Sequence, residues 1–408
     1  MANSTALPRL IDEFAGGARA DALPLPITAR TSHRIVEVEA LWRSLAAGGI
    51  ESPGQSFDFI RLWVETQAIP EQDQFYIVGE IGGTPVALFA LHRKVSKGVR
   101  RLTWFPGPHV GCNAPLIDRA RLAALTPGER RTLWKTMLGR IKGADLVSLR
   151  AVPETLVDGV DLFAELGTWM QGDTLYRAQF SNWEEANTTQ RSKSRRKHDR
   201  QQGEKLEAMG EVAFEELSDG PEAAQVLDLM FRQRAARFAT MGVRDPFSVT
   251  SIRKFYDATI ASQSGLDVRL HVLRLNGEIV ATRYNIAYSD RLFCLISSMS
   301  IEPSIQPGSP GKQCLLRVMQ TVFDEGFRTF DMGAGFTDEK RHWCNVQIPV
   351  RQHYVSLTAL GRLVSGMHQN WQIYRRRIKE NQRLMGLVKT VRSKLYRAKA
   401  EKPAEADE

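Results

Sequence analysis

The chain is 408 residues long, with 43% hydrophobic and 25% charged residues, ordinary globular material and enough of it for two domains. A formal net charge of +9 favours anionic partners (a nucleotide cofactor, a phospholipid surface or nucleic acid) without choosing among them. No apolar run approaches the roughly 20 residues that cross a bilayer, and four scattered cysteines, Cys112, Cys294, Cys314 and Cys344, suit neither a zinc knuckle nor a disulfide framework.

The start, MANSTALPRLIDEFAGG, lacks a basic stretch followed by a long apolar core, so no secretory signal is read. A cytoplasmic protein with reduced core thiols is expected. Residues 1–30 are rich in Ala, Gly and Pro and are expected to be flexible, with order beginning near Arg34. Val36, Val38, Leu41, Trp42 and Leu45 suggest a strand passing into a helix, and Phe57, Phe59, Ile60, Leu62 and Trp63 a second helix with an aromatic inner face. Gln74 to Glu80 alternates into Gly82-Gly83, and Pro85 to Leu91 returns, which predicts a hairpin. Residues 99–117 read as a strand ending in a turn-rich loop, Arg130 to Ile141 as a helix, and Leu146 to Leu149 as a short buried strand.

The second half repeats that order. Val268 to Leu275, the turn Asn276-Gly277 and Ile279 to Tyr288 form a hairpin, and Arg291 to Ile301 a strand, followed by a loop over 302–311. GEIGGTPVALFAL and RLNGEIVATRYNI occupy one slot of the repeat; LWKTMLGRIKGADLVSL and LLRVMQTVFDEGFRTFDM occupy another. Two copies of one fold are therefore expected.

Within the second copy, Ser309 to Trp343 holds the chemistry. Pro310 and Gly311 break the chain, after which Leu315, Leu316, Val318, Met319, Val322 and Phe323 recur at helical spacing until Gly326. Phe327, Phe330 and Met332 follow as a strand. A glycine turn feeding a helix start leaves the N–H groups of Ser309, Gly311 and Lys312 facing outward at the positive end of the helix dipole, a site that fits a phosphate. The first copy reads TPGERR before its helix, and its strand ends SLRAVPE with no glycine pair and no lysine, which suggests a degenerate scaffold.

Competing motifs fail on spacing. GSPGK is too short for a P-loop and has Gln313 where a magnesium-binding hydroxyl belongs; no G-x-S-x-G elbow is present; His342, Cys344 and His353 do not complete a metal set. The basic run from Arg191 to Arg200 reads first as a solvated helix face or salt-bridged linker, with contact to an anionic acceptor, nucleic acid or CoA as the alternative; its lack of interleaved aromatics gives single-strand stacking little support, and nucleic acid is not the expected partner. Near the end, Trp371, Tyr374, Ile378, Met385, Val388, Val391 and Leu395 share a helical face among many Lys and Arg residues. Packing on the protein's own surface is expected for it, with an acidic membrane leaflet as the alternative.

Three stretches, RSKSRRKHDRQQGEKLEAMG, SPGKQCLL and DMGAGFTDEKRHW, resemble the CelD/BcsL-type acetyltransferases (BioF2-like acetyltransferase domain) of the GNAT superfamily, relatives of the Fem peptidyltransferases, which also pair two GNAT folds. The stretch Phe336 to Asp338 departs from the family pattern. The resemblance covers residues from about 190 to 345 and implies an α/β (α+β) protein of tandem GNAT-like domains, each a mixed, mostly antiparallel sheet flanked by helices. The division it implies is a flexible N-terminus (1–30), an N-terminal GNAT-like domain (31–180), an acyl-CoA-binding GNAT domain (181–362) and a basic amphipathic helix with a tail (363–408). It also implies an acyl-CoA-dependent N-acyltransferase using acetyl-CoA or another acyl-CoA, with Ser309, Gly311, Lys312 and Gln313 holding the cofactor and Asp331, Lys340 and His342 as catalytic or substrate-contacting residues. The strand from Arg291 should part from its neighbour to admit the pantetheine arm. The acceptor implied is a small-molecule or glycan-precursor amine in exopolysaccharide, cellulose or envelope synthesis, met in the cytoplasm or at the inner face of the membrane. A non-catalytic partner of such an assembly, or a Fem-like transferase using aminoacyl-tRNA, stands as the alternative.

Overall fold

The computed structural model describes residues 25–156, 159–242 and 245–380. In chain order the first half runs β1 (Ile27–Ser32), α1 (Glu39–Ala46), α2 (Phe57–Thr66), β2 (Gln74–Ile81), β3 (Thr84–Ser96), β4 (Val99–Trp104), β5 (Leu116–Ile117), α3 (Arg119–Ala124), α4 (Pro127–Leu138), β6 (Leu146–Pro153) and β7 (Thr168–Gln179). The second runs α5 (Trp183–Thr189), α6 (Lys193–Glu207), β8 (Val212–Leu217), α7 (Gly220–Thr240), α8 (Thr250–Thr259), β9 (Asp267–Leu275), β10 (Glu278–Tyr288), β11 (Arg291–Met299), α9 (Pro310–Asp324), β12 (Thr329–Ala334), α10 (Asp338–Trp343) and β13 (Val346–Ser356), and α11 (Ala359–Glu380) closes it.

Local chemistry explains many of these elements. Both expected hairpins form, with positive φ at Gly82 (57°) and Gly83 (78°) and again at Asn276 (52°) and Gly277 (80°). Positive φ at both central residues is the twist that matches paired strands. Helix α9 buries Leu315, Val318, Met319, Val322 and Phe323 and stops at Gly326, φ 84°. There the Phe327 N–H donates to Val322 O (3.0 Å) and the Gly326 N–H to Phe323 O (3.4 Å), so two of the last carbonyls are satisfied.

The strands make a single 13-stranded sheet in the order β1-β2-β3-β4-β6-β13-β7-β12-β11-β10-β9-β8, with β5 beside β3. That order is nearly a palindrome of the repeat. Read inward from either edge, an outer strand is followed by the hairpin, the third strand and then a parallel partner. The parallel pairs are β4 with β6 and β11 with β12; the other pairings among the described residues are antiparallel. At the centre the halves exchange strands, because β13 lies against β6 of the first half and β7 against β12 of the second. The two exchanged strands then pair with each other, Ile348 opposite Leu175. A division near residue 180 is thus one of chain order, and the strand neighbours cross it.

One face of the sheet carries a core shared by both halves, where α2 meets α8 with Phe59 and Trp63 edge-on to Phe255 at 4.8 and 4.9 Å. The other face carries two separate cores, one around Leu133, Trp134 and Met137 of α4, the other under α9. Three expectations need correction. Ile27 to Ser32, ahead of Arg34, already form a strand paired with β2; Val36 and Val38 lie in a 3-10 turn over Ile35–Val38; and the first-half helix covers Pro127–Leu138, started by Pro127. Residues 1–24 lie outside the described residues.

Candidate functional site

The strand following the second hairpin does part from its neighbour. Strand β11 pairs with β12 only through Arg291↔Thr329, Leu292↔Phe330 and Phe293↔Asp331, although β11 continues to Met299. Its other edge stays paired with β10 throughout, and there the register slips, with Asn285 opposite Cys294 and Tyr284 opposite Ile296. Leu295 is the extra residue of a β-bulge. A bulge bends and over-twists its strand, which is the physical cause of the divergence from β12.

Helix α9 begins at the mouth of this wedge. Its N-cap, Ser309, sits in left-handed conformation (φ 48°, ψ 60°) and makes no side-chain cap. Such a backbone is costly for a residue with a Cβ and tends to persist where function requires it. Of the three N–H groups expected to face a ligand, two are already engaged: Ser309 N–H donates to Gln306 O (2.9 Å) and Lys312 N–H to Ser309 O (2.9 Å). Gly311 supplies the third, and a Cβ added to it would stand 2.8 Å from Met299 Sδ. The anion turn is therefore narrower than the sequence implies, one backbone donor and the Lys312 ammonium at the positive end of a 15-residue helix.

Helix α6 walls one side of that turn. Gln202 donates to Ser309 Oγ (2.7 Å), and Leu206 packs on Gly308. Gln313, expected to touch the cofactor, is buried instead; its Nε2 donates to Asp199 O (2.7 Å), strapping α9 to α6. Within the basic run, Arg191 and Arg195 both pair with Asp199, while Lys193, Lys197 and Arg200 face solvent.

The three expected catalytic residues behave differently from one another. Asp331 is buried, with Oδ2 accepting from Arg177 Nε (2.7 Å) and Oδ1 from the Gly333 N–H (2.7 Å). Both oxygens are committed, so Asp331 shapes the turn and is not an open base. Lys340 is buried too, and its ammonium donates to Gly333 O (3.1 Å), Ala334 O (2.9 Å) and Gly335 O (2.8 Å), which uses all three protons. Burial lowers its pKa, with Asp331 opposing. His342 alone keeps a partly exposed ring, 3.4 Å from Asp338, and its pKa is lowered by partial burial and then by Arg195.

Sequence reading missed two groups. Arg283 of β10, 6% exposed, lies under the helix start: Nη2 reaches Gly311 O and Glu339 Oε2 at 3.4 Å each, Nη1 reaches Cys294 Sγ at 3.8 Å, and Nε has no partner. Burial works against its charge, but Cys294, Glu339 and Cys314 leave its pKa above the ordinary value. The one available signal was an arginine inside the apolar run IVATRYNIAY. The second group gave no signal at all. Glu51, 1% exposed, accepts from Arg177 Nη1 (2.8 Å), Arg119 Nη2 (2.5 Å) and Arg291 Nη1 (3.4 Å). Burial pushes its pKa up, yet Arg177, Arg291 and Arg119 hold it down at about 2. Through Arg177 the first half thus grips Asp331 in the second. The contact continues above it, since a Cβ on Gly111 would come within 3.1 Å of Gly333 Cα.

A diphosphate-bearing cofactor fits these residues. Gly311 N–H, Lys312 and the under-partnered Arg283 could take its charge, and the open edge of β11 could meet an extended arm. Among the described residues no His, Cys, Asp or Glu cluster could hold a metal.

Residues 193–341 match the acetyltransferase (GNAT) domain family. No curated protein matches the chain by sequence. Among solved structures, FemX aligns with a TM-score of 0.51 at 11% identity over 78% of this chain and 96% of that one. L-PGS from Bacillus licheniformis aligns at 0.45, with 12% identity over 78% and 96%. A tandem GNAT protein from the clavulanic acid biosynthesis pathway aligns at 0.39, with 12% identity over 81% and 98%. The chain is an α/β protein of two GNAT-like units, each mixed and mostly antiparallel, fused through one sheet and flanked by helices.

Proposed function

We propose that this GNAT-containing chain is an acyl-CoA-dependent N-acyltransferase. The observation that carries the reading is the wedge between β11 and β12 opening beside the uncapped start of α9. An acyl-CoA, once bound, supplies a reactive thioester. The chain's own part is then to position the acceptor amine, a contribution of about 7–11 kcal/mol at the upper limit, and to manage a proton.

Each residue has a distinct part in this reading. Gly311, Lys312 and Arg283 bind the cofactor's phosphates. Lys340 and Asp331 hold the turn from Gly333 to Gly335 rigid beside the wedge. His342 is the group that accepts the amine's proton, because its lowered pKa leaves it neutral at pH 7. The acceptor, an amine on a glycan or envelope precursor, rests on the CelD/BcsL resemblance alone.

Calorimetry with CoA and acetyl-CoA tests the reading. Micromolar binding abolished by Gly311→Glu is expected; no heat at millimolar cofactor would overturn it. A second reading, a donor carried on tRNA, rests on the Fem resemblance and on the solvent-facing Lys193, Lys197 and Arg200 of α6. Micromolar binding of aminoacyl-tRNA together with silence towards CoA would select it.

A further inference from the structure

Helix α11 docks by one face and leaves another uncovered. The docked line is polar and small: Gly361 lies against Asp145 O, Ser365 Oγ is 3.0 Å from Ser356 Oγ, and Tyr354 Oη is 2.7 Å from His368 Nδ1. Leu360, Leu363, Met367, Trp371 and Tyr374 form a second line, spaced three or four residues apart and about a third of a turn around the helix. That line stays exposed, Leu363 at 62%, Met367 at 65%, Trp371 at 58% and Tyr374 at 58%. The expected packing of the C-terminal helix therefore involves its small face and not its apolar one. Met385, Val388, Val391 and Leu395, which extend the apolar pattern in sequence, lie outside the described residues.

The geometry points to an anionic lipid surface as the partner of this stripe. Charge selects among the candidates. The sequence of α11 holds five basic residues and one acid, and residues 381–400 add six basic residues and no acid. A second copy laid on the stripe would bring two strongly positive segments side by side, and residues 381–400 folding back would do the same. A nucleic acid would answer the charge but leave Leu363, Met367 and Trp371 in water. A leaflet containing acidic lipids answers both needs, taking the apolar stripe into the acyl boundary, Trp371 and Tyr374 at headgroup depth and the arginines against the phosphates. No helix among the described residues is long and apolar enough to cross a membrane, so the contact is one of lying on the surface. The inference is independent of which acyl donor the wedge takes.

Flotation of the full chain with phosphatidylglycerol-rich vesicles, against vesicles of phosphatidylcholine alone, tests it. Binding to the anionic vesicles that falls with added salt is expected, weakened about tenfold or more in the Met367→Glu, Trp371→Glu double variant. Both positions are exposed, so the thermal melt should hold; should it shift, Leu363→Glu repeats the measurement. Four outcomes overturn the proposal: no vesicle binding, binding undiminished in the folded variants, a solution dimer that these variants dissolve without any vesicle binding, or retention on duplex DNA with none on vesicles.

Discussion

The two halves start their equivalent helices with nearly the same four residues, Thr126-Pro127-Gly128-Glu129 and Ser309-Pro310-Gly311-Lys312, and the fourth decides what each start can do. In the first half the Thr126 N-cap is extended (φ −67°, ψ 158°), its hydroxyl accepts from the Glu129 N–H at 3.3 Å, and the Glu129 carboxylate accepts from the Thr126 N–H at 2.8 Å. This capping box places the chain's own carboxylate where an anion would sit. In the second half a lysine stands at the corresponding position, the N-cap serine is left-handed, and its hydroxyl accepts from Gln202 instead. The wedges differ in the same sense. In the first half β4 pairs with β6 only through Arg101↔Leu146 and Leu102↔Val147, and beyond them Trp104 donates its indole N–H to Arg150 O (3.1 Å) and bridges the two strands, whereas in the second half the under-partnered Arg283 lies under the helix start. The architecture is the same in both copies, and a charge reversal with one backbone rotation separates the two helix starts.

Breaking the seam between the halves should have the largest effect. Arg177→Ala strands Glu51 and Asp331 as buried carboxylates without their shared partner, a loss of about 3–5 kcal/mol readable as an earlier urea midpoint. Lys340→Met should come next, since three carbonyls lose their common donor, at about 1–3 kcal/mol in the same assay, with transfer activity falling alongside. Sharper still is Lys312→Glu, which makes the second helix start resemble the first. Acyl-CoA affinity should drop by more than tenfold, or about 1.4 kcal/mol, with stability unchanged or slightly raised. Unaltered binding there would remove Lys312 from the site. The mirror variant Glu129→Ala should cost about 1 kcal/mol of stability and leave cofactor binding as it was. The smallest and most specific expectation concerns pH. With the His342 pKa lowered, the imidazole is protonated only below its ordinary range, so the acidic limb of the rate profile should fall at a pH under about 6.5 and vanish in His342→Gln.

Much of the second half was legible because its signals are local. Asn276-Gly277 announces a hairpin, Pro310-Gly311 starts a helix, Gly326 ends it, and the apolar spacing between them fixes the buried face. The repeat was legible for the same reason, as an order of elements. Strand β7 escaped notice because its first six residues are largely exposed and carry no alternation; it is a strand because β13 and β12 lie beside it.

Sequence alone, then, determined the two repeats, their turns and the glycine-marked start of α9, all decided by backbone preferences within a few residues. Tertiary structure decided that the halves exchange β7 and β13, that Asp331 and Lys340 are clamped while His342 stays open, and that Glu51 reaches Asp331 through an arginine 126 residues from one and 154 from the other. Pairings at such separations leave no periodic trace in the chain. They follow from which buried charges and strand edges can satisfy one another once the sheet has closed.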